Sequence, residues 1–423
     1  MKRIFLLSLV SVFTLYSCKE KLNKEEKEQA NAKGSTTVTT AIGDITLPPP
    51  YETKSVTKRN SITEWPEGQT PKAPSGFTVT KFAGNLKNPR NTYIGPNNDV
   101  FVAESGTRNS ADRITIFRDN DKDGIFETHN VFVENLNQPY GMLILSNYFY
   151  VANTDGLYRY PYKEGILKLE GKAEKIAELP AGGYNNHWTR NLIASKDGSK
   201  IYISVGSASN NAEHGMDEEK RRANILEINP DGTGEVIYAN GLRNPVGMDW
   251  NSATGELWTA VNERDDLGDN LVPDYITSVK KGGFYGWPYS YFGQIEDPRM
   301  KGVRKDLVEK AIVPDVPVGS HTASLGIAFY DKDAFPEKYK NGAFVGQHGS
   351  WNRSVLSGYK VLFVPFKNGK PAGKPEDFLT GFINDKEDAE AYGRPVDITV
   401  MNDGSLLVND DSGNTIWKVT ADK

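Results

Sequence analysis

Hydrophobic and polar positions along this chain fall into one phrase written six times. A polar or proline-flanked opening leads to an apolar strand, a turn, a second apolar strand, a polar loop and a third strand. Asn88-Pro89-Arg90 leads to Asp99–Ala103, and Gln138-Pro139-Tyr140-Gly141 leads to Tyr148–Ala152. His187-Trp188-Thr189-Arg190 leads to Ile201–Val205, and Leu242-Arg243-Asn244-Pro245 leads to Glu256–Val261. His321–Ser324 leads to Gly342–Val345, and Gly393-Arg394-Pro395 leads to Ser405–Asn409. The openings recur about every 50 to 80 residues, and several short strands per such period mean propeller blades.

One strand has no partner in this scheme. Gly76–Phe82 alternates apolar and polar residues ahead of the first unit, whereas the last unit has only three strands, near 397–400, 406–409 and 415–419. Pairing the early strand with the last unit joins the chain ends and removes an open sheet edge. The expected fold is all-β: a six-bladed β-propeller over residues 75–423, with an N-terminal strand closing the last blade.

Bulk composition narrows the function. The 423 residues are 38% hydrophobic and 25% charged, which is globular, and 40 glycines suit a protein made of hairpins. A net charge of −5 without any basic stripe argues against nucleic acid as a partner. Past its first residues the chain has no apolar run long enough to span a bilayer.

The amino terminus carries its own signal. Met1-Lys2-Arg3 is basic, Ile4–Leu15 is apolar, and Leu15-Tyr16-Ser17-Cys18 closes it in a way that resembles a bacterial lipobox. Residues 1–18 are expected to be a lipoprotein signal, with Cys18 lipidated and the protein an exported lipoprotein of the outer membrane, since Lys19 follows the cysteine. A plain secretory signal with an incidental cysteine is the alternative. Residues 19–74 are expected to be a disordered tether, being rich in Lys, Glu, Thr and Pro.

Chemistry gathers on one face. In a propeller each innermost strand starts on the same face as the loop between the second and third strands. That places Arg90, Arg108, Arg190, Arg243, Arg264, Arg353 and Arg394 together, and forked guanidinium donors predict a compact polyanionic ligand. His187 is the leading candidate base, because imidazole titrates near neutrality; His321 and His348 share its face. Glu263, Asp265, Asp266 and Asp269 form an oxygen-rich loop suited to Ca²⁺, or simply an acidic surface loop. The run Asp119–Gly124 matches half of an EF-hand loop, but Asn130 stands where the closing glutamate belongs, so a hairpin turn is expected, with a structural Ca²⁺ as the alternative.

His187-Trp188-Thr189-Arg190, Gly198–Tyr202, Val205-Gly206-Ser207, Gly241–Pro245, Asn262–Asp265 and Lys281–Pro288 together resemble the glucose/sorbosone dehydrogenase family. The sorbosone and pyranose dehydrogenase branch is the nearer one. The resemblance implies a six-bladed propeller that uses pyrroloquinoline quinone (PQQ) and Ca²⁺ to oxidise a sugar or related alcohol and passes electrons to an external acceptor. It implies that His187 is the general base and that Arg243 and Asn244 hold the quinone oxygens. Arg394 would grip a cofactor carboxylate, and carbonyls of the Asp265–Asp266 loop would hold Ca²⁺. The family's cofactor lysine falls at Asn352 or Arg353, and Arg90, Arg190 and Arg264 are further cofactor contacts. Three positions depart from the family pattern: Asn186, Ser207 and Val396. A Ca²⁺-dependent lactonase using Glu104, Asn244 and Asp410 is a second reading, and a non-enzymatic binding propeller a third.

Overall fold

Strand Val100–Glu104 shows how the chain builds its core. All five residues are buried, and the side chains alternate between two partners. Val100 and Val102 pack against Leu407 and Ile416, whereas Phe101 and Ala103 pack against Phe149 and Val151. A strand buried on both faces reads as a continuous apolar run, which is what the repeated phrase contains. The computed structural model describes residues 22–422.

Six four-stranded antiparallel sheets follow this plan. Sheets I to V begin with the strands Pro89–Ile94, Met142–Leu145, Leu192–Ala194, Pro245–Trp250 and Ser324–Phe329. Sheet VI begins with Pro395–Val400, and its fourth strand is Phe77–Ala83, which pairs with Thr415–Ala421 in the register Val79↔Val419. The amino-terminal strand therefore completes the last sheet, as its lack of a partner predicts.

Six hydrophobic clusters fill the junctions between consecutive sheets, for example Phe344, Phe363, Leu406 and Trp417 between V and VI. First strands of neighbouring sheets also touch directly. Gly141 N donates to Arg190 O at 2.9 Å, and Asn191 Nδ2 donates to Val246 O at 3.0 Å. Thr92 N donates to the Asp397 carboxylate at 3.2 Å and Phe329 N to that of Asp249 at 2.7 Å. The first strands of sheets I, IV, V and VI each carry a register shift at their opening residues. Such bulges re-aim side chains at the end of a sheet, and the site described below lies at that end.

The expectation of a disordered tether over 19–74 is overturned from residue 24 onward. Lys24–Asn31 is helical, capped reciprocally by Asn23 and Glu26, and Thr36–Thr40 pairs with Gly43–Leu47 as a hairpin. The hairpin lends Val38 and Leu47 to the sheet III–IV junction, and Ile42 packs at the next one. Residues 41–72 then run across the propeller-like body through backbone bonds such as Ala41 N to Asp315 O (3.0 Å) and Lys72 N to Thr380 O (2.8 Å). Polar composition misled here because the strap is ordered by docking on existing sheets rather than by a core of its own. The proposed signal segment, including Cys18, lies outside the described residues. Among those residues no helix is long and apolar enough to cross a membrane.

Candidate active site

The opening residues of the sheets surround a cavity of about 450 Å³. Val246 and Leu325 form its floor and pack with Tyr140 and Val396 in a small apolar plug beneath it. The wall is polar: Arg90, His187, Asn244, Asp265, His321, His348 and Arg394 all line it. Sequence reasoning named each of these seven. It missed Trp188 and Trp351, which also line the cavity, and Asp411 just behind it.

His187 is held in one tautomer. Its Nδ1 lies 2.9 Å from both the carbonyl oxygen and Oγ of Ser207. The carbonyl only accepts, and Ser207 Oγ gives its own proton to Ser209 O at 2.6 Å. Nδ1 therefore carries the hydrogen, and Nε2 is the bare nitrogen, with no hydrogen-bond partner among the described residues. Burial and the nearby Arg243 charge push the imidazole down from its ordinary value to about 3, so the ring is neutral at working pH. Serine at 207 thus orients the base through its carbonyl and hydroxyl.

Asn244 faces His187 across Gly206. Its Oδ1 is buried without a donor, and Nδ2 has no acceptor among the described residues. A buried oxygen left without a donor costs about 1–3 kcal/mol; Nδ2, on a residue that lines the cavity, is free to donate to a ligand oxygen. Gly206 makes this closeness possible: a Cβ there would lie 2.3 Å from Asn244 Oδ1 and 2.5 Å from His187 Cβ.

A linked set of charges forms the opposite wall. Asp411 binds Arg90 Nη1 at 2.5 Å through one oxygen and His348 Nε2 at 2.8 Å through the other. Burial opposes ionisation of Asp411, but His348 and the Arg90 guanidinium hold its carboxyl far below the usual range. His348 is lowered to about 4 by burial and by Arg394. Arg90 lies 5.2 Å over the Trp188 ring. Arg394 donates Nε to His348 O and Nη2 to Gly349 O, both at 2.7 Å, and stacks on Tyr359.

Asp265 is the single carboxylate in the lining. One oxygen sits 3.1 Å from Arg243 Nη2 and the other 3.3 Å from His321 Nδ1. His321 Nε2 also contacts Gly268 O at 2.8 Å, so both ring nitrogens face acceptors. Burial works against the imidazolium, but Asp265 and the Gly268 carbonyl outweigh it and raise His321 above its ordinary value. The same residue adopts φ +57°, a left-handed conformation unusual for histidine, and its neighbours are pinned by Asp274, which accepts from Thr322 Oγ1 and Ser324 N.

Several expected ligand-binding residues are turned away from the cavity. Arg243 spends its guanidinium on Asn210, Asn262 O, Glu263 O and Asp265, and acts on the cavity through its charge. Arg190 is fully buried and clasps the carbonyls of Pro180, His187 and Thr189. Arg264, also fully buried, pairs with Glu263 and Asp297. Arg353 bonds Ser320 O and Asn270, and Asn352 bonds Asp266 N and Val56 O. The Asp266 carboxylate is exposed and outside the lining. An arginine side chain is long enough to point either way from one backbone position, and the spare carbonyls of irregular loops capture it.

Of the residues named for a lactonase centre, Asn244 lines the cavity and Glu104 and Asp410 do not. Both Glu104 oxygens are consumed by Arg113, Thr115 and Lys87 N, and Asp410 Oδ1 is consumed by Arg394 N and Gly413 N. The Asp119–Gly124 run is a turn between Arg113–Arg118 and Thr128–Val133, with Asp119 accepting from the amides of Lys122, Asp123 and Gly124.

The chain belongs to the TrAA12-like family, whose profile matches residues 71–279 and 303–422. An uncharacterised protein of Borreliella burgdorferi is 31% identical over 371 residues, covering 84% of this chain and 92% of that protein. Quinoprotein glucose dehydrogenase B of Acinetobacter calcoaceticus is 27% identical over 278 residues, 52% of this chain and 55% of that one, so the match spans about half of that relative. The holo form of the pyranose dehydrogenase PQQ domain from Coprinopsis cinerea superposes with a TM-score of 0.70 at 20% identity, covering 84% of this chain and 98% of that domain. These names agree with the resemblance read from the sequence.

Proposed function

We propose that this protein is a PQQ- and Ca²⁺-dependent dehydrogenase that oxidises a sugar or related alcohol. The observation that carries the proposal is the pairing, in one cavity, of a neutral histidine with a bare Nε2 and a wall of fixed cations. On this reading the six sheets are the blades of a closed six-bladed propeller, and its axial mouth is the active site.

The donor set suits the anionic cofactor. Arg90 and Arg394, which line the cavity, would meet carboxylates, and Asn244 Nδ2 a quinone oxygen. When bound, the quinone supplies the acceptor for the hydride leaving the sugar carbon. His187 Nε2 accepts the proton of the hydroxyl as that C–H bond breaks and the carbonyl forms. A polyanion seated against Arg90 and Arg394 brings negative charge near His187, offsets Arg243 and raises its basicity.

Calcium is supported less directly by this chain's own side chains. One carboxylate shared with Arg243 and His321 is no cage for an ion that takes six to eight oxygens. Asp265 and Asp266 with their loop carbonyls are the nearest donors, and the cofactor's own oxygens would complete the shell. Electrons then leave to an external acceptor. Export as a lipoprotein anchored through Cys18 in the outer membrane remains part of the proposal on the strength of residues 1–18, and Cys18→Ser should release the protein to the soluble fraction.

The test is dye-linked oxidation across a panel of aldoses by the protein loaded with PQQ and Ca²⁺, beside His187→Gln. Turnover that falls at least about 100-fold in the variant while PQQ binding persists supports the base assignment. Equal turnover in the two proteins removes His187 from the chemistry.

A further inference from the structure

Two segments outside the residues matched to the family meet on one loop of the site. That loop, 265–271, is irregular, with Asp266 at φ +72° and Gly268 at φ +111°. It nevertheless presents Asp265 to the cavity and, through Gly268 O, holds His321.

The amino-terminal strap grips it from one side. Tyr51 N donates to Leu267 O at 2.7 Å, and Thr53 Oγ1 accepts from Asp269 N at 2.7 Å. A Cβ on Gly268 would lie 3.1 Å from Thr53 Oγ1, so the two strands of chain lie flat together. Asn352 ties strap and loop a second time: Oδ1 accepts from Asp266 N at 3.0 Å, and Nδ2 donates to Val56 O at 3.2 Å. The other side is held by residues 280–302, the insertion between the two matched stretches. Arg299 Nη1 donates to Asp265 O at 3.1 Å, and the same guanidinium is locked by buried Asp297 at 2.8–2.9 Å.

We propose that the strap at residues 51–56 and the insertion at 297–299 form a two-sided brace that sets the 265–271 loop for cofactor binding. Thr53, Asn352 and Arg299 are then positioning residues, not ligands. The inference rests on the function proposed above. A loop that must be ordered by its ligand lowers apparent affinity by the fraction of time it is competent. The brace removes that loss before the ligand arrives.

The test uses the full chain, Thr53→Val, which keeps the shape and removes the acceptor, and Thr53→Ser, which keeps the acceptor. Hydrogen exchange over 265–271 is measured without cofactor, and PQQ affinity with Ca²⁺ by calorimetry. Thr53→Val should speed exchange at Asp269 and weaken PQQ binding about five- to tenfold, the worth of one such bond; Thr53→Ser should match the parent. Arg299→Met should weaken binding in the same way from the other side. Unchanged exchange in Thr53→Val overturns the brace, and faster exchange with unchanged PQQ affinity overturns its role. A parent chain that binds no PQQ overturns the proposed function itself, and the brace loses its purpose with it.

Discussion

Gly206→Ala should disable the site while leaving the fold standing. Gly206 is not in the left-handed region, so alanine adds no backbone strain and its whole effect is steric. The new methyl would lie 2.3 Å from Asn244 Oδ1 and 2.5 Å from His187 Cβ, where ordinary contacts begin near 3.4 Å. Asn244 can swing aside, but a Cβ cannot rotate away, so the His187 backbone must move by about 1 Å. Overpacking of this kind costs about 1–3 kcal/mol, and in a chain this long that lowers Tm by only a few degrees. A displacement of about 1 Å in a catalytic group, by contrast, costs about 100-fold in rate. The assay is steady-state dye-linked sugar oxidation beside a thermal melt of the same preparation. The expected result is a kcat/KM lowered about 100-fold with Tm nearly kept. Activity within about threefold of the parent would refute the claim that His187 and Asn244 act as a fixed pair across Gly206.

Other consequences follow from the charges. His187 falls from about 6.5 unfolded to about 3 folded, so the unfolded chain takes up a proton below pH 6.5 that the native ring refuses; the stability of the neutral ring is complete above pH 6.5 and is lost as pH falls. Denaturant melts should therefore show the parent losing about 1 kcal/mol per pH unit relative to His187→Gln between pH 6 and 4.5. Asp411→Asn leaves Arg90 without its buried counter-ion, and chemical unfolding should register a loss of about 3 kcal/mol. Ca²⁺ and PQQ should bind with reciprocal coupling: chelation should weaken PQQ about 5- to 150-fold, and withholding PQQ should weaken Ca²⁺ by the same factor, as read by calorimetry.

How much of this was legible in the sequence depends on the backbone's share in each feature. The six units were readable because strands buried on both faces leave a continuous apolar run, and the unpaired strand at 76–82 because its alternation marks an edge strand with one face toward solvent. His187, Asn244, His321 and Arg394 were readable as site residues for the same reason: each sits at or just before the start of a first strand, where the fold fixes the side-chain position. Arg190 and Arg243 share that location, and Arg264 sits in the loop after the second strand Leu257–Val261, yet all three turn toward loop carbonyls and carboxylates, a choice made by three-dimensional neighbours such as Pro180 O, Glu263 O and Asp297. The strap was hidden because its order comes from bonds to partners two to three hundred residues away, as between Thr53 and Asp269 or Val56 and Asn352. Asp411 directly follows the strand Leu406–Asp410, but only the folded chain reveals that one carboxylate joins Arg90 to His348.

The most direct test of the central claim is calorimetric titration of PQQ into the full chain with Ca²⁺ present, repeated with Arg394→Gln. The account predicts one site per chain with a Kd of about 1 µM or tighter, weakened about tenfold or more by the variant. No saturable binding at about 50 µM PQQ, or binding indifferent to Arg394, would contradict it.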